Sequence, residues 1–314
     1  FIEVILNLFT IFKNIRFCKD DIAKFQPDVI IFIDYSGFNL RIAKWAKAQN
    51  YRTNYYISPQ IWASREGRIT KIKHDIDAMF VILPFEKEFY AKHNYKVHFV
   101  GHPLIDAIDQ RAAVLETDFR KAYNISPNKS IIALLPGSRK QEVQKMLSVM
   151  TSVVENFMEY EFVIAGAPSL DNEFYSPYLT NKNIKFVSNR TYDLLGIAHA
   201  ALVTSGTATL ETALFKVPQV VCYKANWLSY QIAKRIITLE YISLVNLIMK
   251  KEIVKELIQD ELTSKNLSDA LQKIVDGADR EKQLTAYQKL EENLGGSGAS
   301  QNTASLIYNG VHKA

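Results

Sequence analysis

The stretch Ile131-Ile132-Ala133-Leu134-Leu135-Pro136-Gly137-Ser138-Arg139 decides how this chain is read. Apolar residues run without a break into Pro and Gly, then into a hydroxyl and a cation. A strand buried on both faces has that signature, because neither face meets water and the polar alternation disappears. A helical pattern starts near Glu142, so the stretch reads as strand, turn and helix start. The rhythm recurs: strand-like runs fall at 28–35, 53–58, 79–83, 98–100, 131–135, 162–165, 184–187, 201–204 and 219–223. Such strands alternating with helices give an α/β class built on doubly wound parallel sheets. These runs are many for one sheet, and residues 107–129 are polar and helical without a strand-like run. Two domains are therefore expected, over 1–118 and 119–289, with a tail at 290–314 that follows from the Gly295-Gly296-Ser297-Gly298 loop.

Composition narrows the class. The 314 residues are 48% hydrophobic and 23% charged, enough for two ordinary cores and too apolar for a disordered chain. Cys18 and Cys222 stand far apart, which excludes a disulfide framework and fits a reducing cytoplasm. The net charge of +5 is small and spread out, so nucleic acid is not an expected partner. No run reaches the roughly 20 apolar residues of a membrane-spanning helix. In residues 1–17, Ile5, Leu8, Phe9, Phe12 and Ile15 recur at helical spacing beside Lys13 and Arg16. They read as a core-facing amphipathic helix or as one lying on anionic lipid. A second aromatic and cationic mixture, at 227–235, allows the same two readings. The chain starts at Phe1 rather than Met, so a segment upstream is expected to be missing.

In open α/β sheets, ligands sit beyond the carboxyl ends of the strands, so the loops there carry the functional reading. In Leu135–Arg139, Gly137 lets backbone approach a ligand, Ser138 can cap the helix, and Arg139 with the helix amides suits an anion. An ordinary βα turn with a solvated arginine accounts for the same residues. Thr204-Ser205-Gly206-Thr207-Ala208-Thr209-Leu210-Glu211 places small hydroxyl residues and a glycine at a helix start, as a diphosphate cradle needs. Glu211, a turn further on, can accept hydrogen bonds from the vicinal hydroxyls of a ribose; capping and a helix ion pair are the plain alternative. Asp34 emerges from an apolar strand, where partial burial raises a carboxyl's affinity for protons, and is a candidate general base or a helix cap. Ser58-Pro59-Gln60-Ile61-Trp62 and Gly101-His102-Pro103 also sit at strand ends; His102 can move a proton or serve the structure. No metal-ligand spacing and no Walker loop occur, so neither a metal nor another cofactor is expected.

With those motifs, and with Leu83-Pro84-Phe85-Glu86 and Tyr241-Ile242-Ser243-Leu244-Val245-Asn246, the chain resembles the lipid-A-disaccharide synthases, family 19 glycosyltransferases of the GT-B type. The resemblance runs from Phe1 to near Ala314 and implies two Rossmann-like domains facing a cleft, the N-terminal one truncated. It implies that Arg139, Ser205, Gly206, Thr207 and Asn246 contact the UDP phosphates, with Gly137 and Ser138 beside them. Glu211 would hold the ribose and Asp34 would be the catalytic acid/base, with Arg139 and Asn246 assisting departure of UDP. The implied reaction joins UDP-2,3-diacylglucosamine to 2,3-diacylglucosamine 1-phosphate, in lipid A and hence lipopolysaccharide biosynthesis. It gives the β-1,6-linked disaccharide 1-phosphate and UDP. A peripheral position on the cytoplasmic face of the inner membrane of a Gram-negative bacterium goes with it. The tail would cross back to the N-terminal domain or exchange with a second chain in a homodimer. The family's Gly-Glu-x-Ser-Gly-Asp loop has no counterpart here, Ser64 stands where the family shows Trp, and Val245 where relatives often show Pro. The alternatives are a chain that binds UDP-sugar without turnover, a UDP-sugar epimerase, or the peptidoglycan N-acetylglucosaminyltransferase.

Overall fold

A computed structural model describes residues 8–112, 114–226, 230–231 and 239–312. The chain divides into two compact units, Phe1–Asp109 with Leu294–Ala314, and Gln110–Asn293.

In the first unit, β1 (Ile30–Ile33), β2 (Thr53–Tyr56), β3 (Ala78–Val81) and β4 (His98–Phe99) form a parallel sheet in that order. One face buries Phe32, Tyr55, Met79 and Val81 against Ile42, Ala43 and Ala46 of the helix Ser36–Ala48, and against Ile72 and Tyr90. The other face meets the tail: Phe80 packs with Val100 and with Ile307 of the helix Ala299–His312. The first described helix spans Leu8–Phe25 and turns Ile11, Ile15, Cys18 and Ile22 toward that core. This corrects the expected face. Phe9 and Phe12 are 90% and 56% exposed, and Phe17 is 70% exposed, while Ile5 lies outside the described residues. Spacing alone could not choose, because apolar residues occur on more than one side of this helix.

The tail returns to this first unit through a close crossing. Gly101 and Gly295 both have φ of +91°, and a Cβ on Gly101 would lie 3.2 Å from the Leu294 carbonyl. Glycine is needed at both positions to let the two segments touch. The His102 amide then donates to that carbonyl at 3.0 Å. Asp106 accepts from the amides of Gly298 (2.5 Å) and Ser300 (2.9 Å), so one helix supplies the N-terminal cap of another. Burial would raise the Asp106 carboxyl, but these amides outweigh it and hold it below its ordinary value.

The second unit is a parallel sheet of β5 (Ile131–Leu135), β6 (Glu161–Gly166), β7 (Ile184–Ser188), β8 (Ala200–Thr204), β9 (Gln219–Tyr223) and β10 (Lys255–Ile258). Its order is β10-β9-β8-β5-β6-β7. β5, β6 and β8 are buried throughout, as their unbroken apolar runs require. Ile132 and Leu134 pack with the helices Lys140–Met150 and Ser264–Val275, whereas Ile131, Ala133 and Leu135 pack with Phe119 and Leu194 on the opposite face. The chain runs outward from β5 to β7, then returns beside β5 with β8 and builds the other way. The reversal lies between β5 and β8, where such sheets open a crevice. The edge strand β10 was not anticipated, because Lys255 and Glu256 break its apolar pattern.

Candidate functional site

The pairing Leu135↔Val203 brings the ends of β5 and β8 side by side. A cavity of about 250 Å³ opens there, lined by Gly137, Ser138, Ser205, Gly206, Thr207 and Glu211 among others. Two helices begin at its wall, Lys140–Met150 and Thr207–Leu214, and among the described residues no side chain caps either N-terminus. The expected cap by Ser138 is not formed; the cap position falls to Arg139. Uncapped N-terminal amides carry partial positive charge and seek an acceptor, as a phosphate provides. Gly137 has φ of +102°, and a Cβ there would run into the Glu142 carboxyl, which also lines the cavity. A Cβ built on Gly206 meets nothing within 4 Å, leaving that side open to a ligand. Thr204 Oγ1 is buried at the same wall with no partner among the described residues.

Glu211 is placed by a neighbour that the sequence does not single out. Tyr192 donates its hydroxyl to Glu211 Oε1 at 3.1 Å. Burial raises the Glu211 carboxyl above its ordinary value, and the Tyr192 hydrogen bond opposes that rise. Burial and the Glu211 charge raise the Tyr192 phenol, so the tyrosine stays the donor. Its short helix Thr191–Leu195 is held by Asp193, which pairs with Arg190 and, at 3.0 Å, with Arg111. One carboxylate oxygen is thus held by protein, and the other can accept from a ligand hydroxyl.

Three candidates stand elsewhere. Arg139 is exposed and outside the cavity lining, although its backbone leads into the helix at the wall. Asn246 is fully buried with its side chain occupied: Nδ2 donates to Val254 O (2.8 Å) and Glu256 Oε1 (2.9 Å), and Oδ1 accepts from the amides of Ile253 (2.7 Å) and Val254 (3.0 Å). An amide so saturated has nothing left for a phosphate, which corrects the contact expected for it. Asp34 belongs to the first unit, and its side chain is exposed, not partly buried as expected. Its backbone is what the fold pins: φ is +45°, and its carbonyl accepts from Asn39 Nδ2 at 2.9 Å and from the Tyr55 hydroxyl. Two left-handed residues in succession, Asp34 and Tyr35 (φ +37°), turn the chain into the helix Ser36–Ala48.

The other motifs are structural knots. Glu86 is buried and accepts from Ser58 Oγ (2.8 Å), Trp62 Nε1 (3.2 Å) and the amides of Ile82 (3.2 Å) and Leu83 (2.9 Å). That hub joins Ser58–Trp62 to Leu83–Glu86, which spacing alone had left as separate motifs. His102 is buried, and its Nδ1 accepts from the Leu104 amide at 3.2 Å. A larger groove, of about 1170 Å³, runs along β10 and shares no lining residue with the cavity beside β5. Most of the 227–235 segment lies outside the described residues.

A profile of the family described as Lipid-A-disaccharide synthetase matches residues 1–308. The chain is 36% identical over 314 residues to lipid-A-disaccharide synthase of Coxiella burnetii (strain CbuG_Q212), covering 97% of this chain and 83% of the relative. It is 33% identical over 313 residues to that of Geobacter metallireducens (strain ATCC 53774 / DSM 7210 / GS-15), covering 98% and 81%. Among solved structures it resembles a UDP-GlcNAc 2-epimerase from Neisseria meningitidis bound to UDP-GlcNAc, with TM-score 0.67, 13% identity and coverage of 94% and 80%. A glycosyltransferase from Rickettsia africae gives TM-score 0.56 at 13% identity, with coverage of 97% and 82%. These structural likenesses speak for the fold, an α/β arrangement of two Rossmann-like domains of the GT-B type. On the match along nearly its whole length, the chain belongs to the lipid-A-disaccharide synthase family, glycosyltransferases of lipid A biosynthesis.

Proposed function

We propose that the chain transfers the sugar of UDP-2,3-diacylglucosamine to the 6-hydroxyl of 2,3-diacylglucosamine 1-phosphate, forming the β-1,6-linked disaccharide 1-phosphate and releasing UDP. The observation that carries the donor assignment is the convergence of two uncapped helix N-termini on one cavity that also holds Glu211. The diphosphate lies against the amides at Gly137–Ser138 and Gly206–Thr207, since the Ser205 amide and hydroxyl already donate to the Cys222 and Ile242 carbonyls. Glu211 accepts from the ribose hydroxyls through the oxygen that Tyr192 leaves open. Inversion at an α-linked sugar asks for a base at the attacking hydroxyl and for stabilisation of the departing diphosphate. Helix N-termini with Thr207 supply the second role, and Arg139 adds an exposed cation at the start of the first of these helices. Asp34 is the acid/base candidate for the first role. Asn246 has no direct part and acts through the loop it braces.

An acylated substrate places the enzyme at a lipid surface, on the cytoplasmic face of the inner membrane. Among the described residues no helix is long and apolar enough to cross a membrane. Exposed Phe9, Phe12 and Phe17 beside Lys13 and Arg16 support peripheral contact instead.

The test is an assay of UDP release with acylated and plain UDP-glucosamine donors, beside calorimetric titration with UDP. Turnover of the diacylated donor is expected, with UDP affinity about tenfold weaker in Arg139→Ala, the loss of roughly one charge-assisted hydrogen bond. Turnover of unacylated donor alone would overturn the reaction. Absence of saturable UDP binding would overturn the site.

A further inference from the structure

The strand β10 that the sequence concealed carries a second buried carboxylate hub. Successive strand residues point to opposite faces, so Lys255 and Leu257 line the large groove while Glu256 turns away from it. Glu256 is 7% exposed and accepts four hydrogen bonds. Its Oε2 receives the Ile242 amide at 2.9 Å, and its Oε1 receives the Ser243 amide (2.9 Å), the Ser243 hydroxyl (2.7 Å) and Asn246 Nδ2 (2.9 Å). Every donor belongs to the segment Tyr241–Asn246. Ser243 also caps the helix Leu244–Met249 by accepting from the Asn246 amide at 3.3 Å.

The segment does not end at this hub. The Ile242 carbonyl accepts from Ser205 Oγ at 2.9 Å, and Ser205 lines the cavity at the start of the diphosphate cradle. The peptide unit joining Ile242 to Ser243 therefore carries both anchors: Glu256 holds its N–H, along with the Ile242 amide, and its carbonyl is tied to Ser205. A carboxylate suits the first anchor because it offers acceptors only, to donors that all arrive from one segment.

We infer that Glu256 is a positioning residue for donor binding: through Ile242 it fixes the Ser205 hydroxyl and the loop that receives the diphosphate. The inference rests on the donor-site reading above, and it assigns the Tyr241–Asn246 segment a bracing role in place of direct phosphate contact. Geometry held in this way by buried hydrogen bonds costs no reordering when the ligand arrives.

The test is a double-mutant cycle on UDP affinity, measured by calorimetry in the full chain with wild type, Glu256→Gln, Ser205→Ala and the double variant. Gln keeps the shape but turns an NH₂ toward an amide donor. Glu256→Gln is expected to weaken UDP binding about tenfold in the wild-type background and less than about threefold once Ser205 is Ala, because the connection it acts through is gone. Donor KM should rise with it, while kcat falls by a smaller factor. Affinity within about twofold of wild type, or the same factor lost in both backgrounds, would overturn the inference while leaving the donor site standing. Failure of the wild-type chain to bind UDP would instead remove the site reading and this inference with it. If Glu256→Gln loses cooperative unfolding, Ser243→Ala removes one donor to the same carboxylate and should weaken UDP about threefold in the same Ser205-dependent manner; no change would overturn the inference.

Discussion

At the scale of single residues, this chain repeatedly uses a buried polar group to bind loop to loop. Glu86 and Glu256 each accept four hydrogen bonds: Glu256 takes all of its bonds from the remote segment Ile242–Asn246, and Glu86 joins remote Ser58 and Trp62 to its own Ile82 and Leu83 amides. A buried acceptor with all its donors in place specifies one arrangement, since losing any of them leaves a desolvated group unpaired. His102 is the acid-sensitive member of the set. Burial lowers it to about 4 from an ordinary 6.5. The unfolded chain therefore binds a proton that the folded chain refuses between those values, and stability rises with pH across that window. Taking the chain from pH 7 to pH 5 should cost the first unit about 2 kcal/mol at this one site. Urea midpoints of wild type and His102→Gln at both pH values check it. The variant, starting from lower stability at pH 7, should lose less on acidification; an equal loss would place the acid sensitivity elsewhere.

At the scale of elements, the helix Leu8–Phe25 illustrates how one sequence supports two faces. Its Ile11, Ile15, Cys18 and Ile22 stripe packs into the first unit's core beside the helix Ser36–Ala48, and the other side mixes phenylalanines with cations. Water-exposed aromatic rings beside Lys13 and Arg16 have the composition of a helix that rests in a headgroup layer. Sedimentation with anionic vesicles is expected to be salt-sensitive and to drop about tenfold in Phe9→Ser/Phe12→Ser, which leaves the buried stripe intact; two exposed rings at roughly 0.7 kcal/mol each suffice for that factor. Binding unchanged by salt and by both substitutions would exclude this helix as the contact. The C-terminal helix Ala299–His312 follows a different logic: its place depends on the Gly101–Gly295 crossing and on the Asp106 cap, both supplied by remote sequence.

At the scale of the molecule, each unit has a core of its own, and the cavity between the loops after β5 and β8 belongs wholly to Gln110–Asn293. Ligand that binds only the folded form stabilises it by mass action, about 2.7 kcal/mol at a hundredfold excess over Kd. UDP should accordingly raise the thermal transition of the second unit, with added hydrogen-exchange protection concentrated at β5, β8 and the loops that follow them. Protection appearing mainly in residues 8–109 would contradict the donor assignment.

The sequence by itself determined the α/β class and nine of the ten described strands, and it singled out the loops after β5 and β8, whose strand ends the fold then sets side by side. Unbroken apolar runs reveal buried strands, and Gly with Ser or Thr before a helix reveals uncapped amides, because both signals are local. It did not disclose β10, the hubs at Glu86 and Glu256, or the partnership of Tyr192 with Glu211. An acidic residue in an amphipathic run looks the same on a solvated face as inside a knot of donors. Asn246 shows the same limit: its type suits a phosphate contact, yet its four hydrogen bonds are spent on Val254, Ile253 and Glu256. Which polar groups meet a ligand and which meet each other was decided only when tertiary packing brought distant segments together, since a hydrogen bond depends on distance in space and leaves no period in the chain.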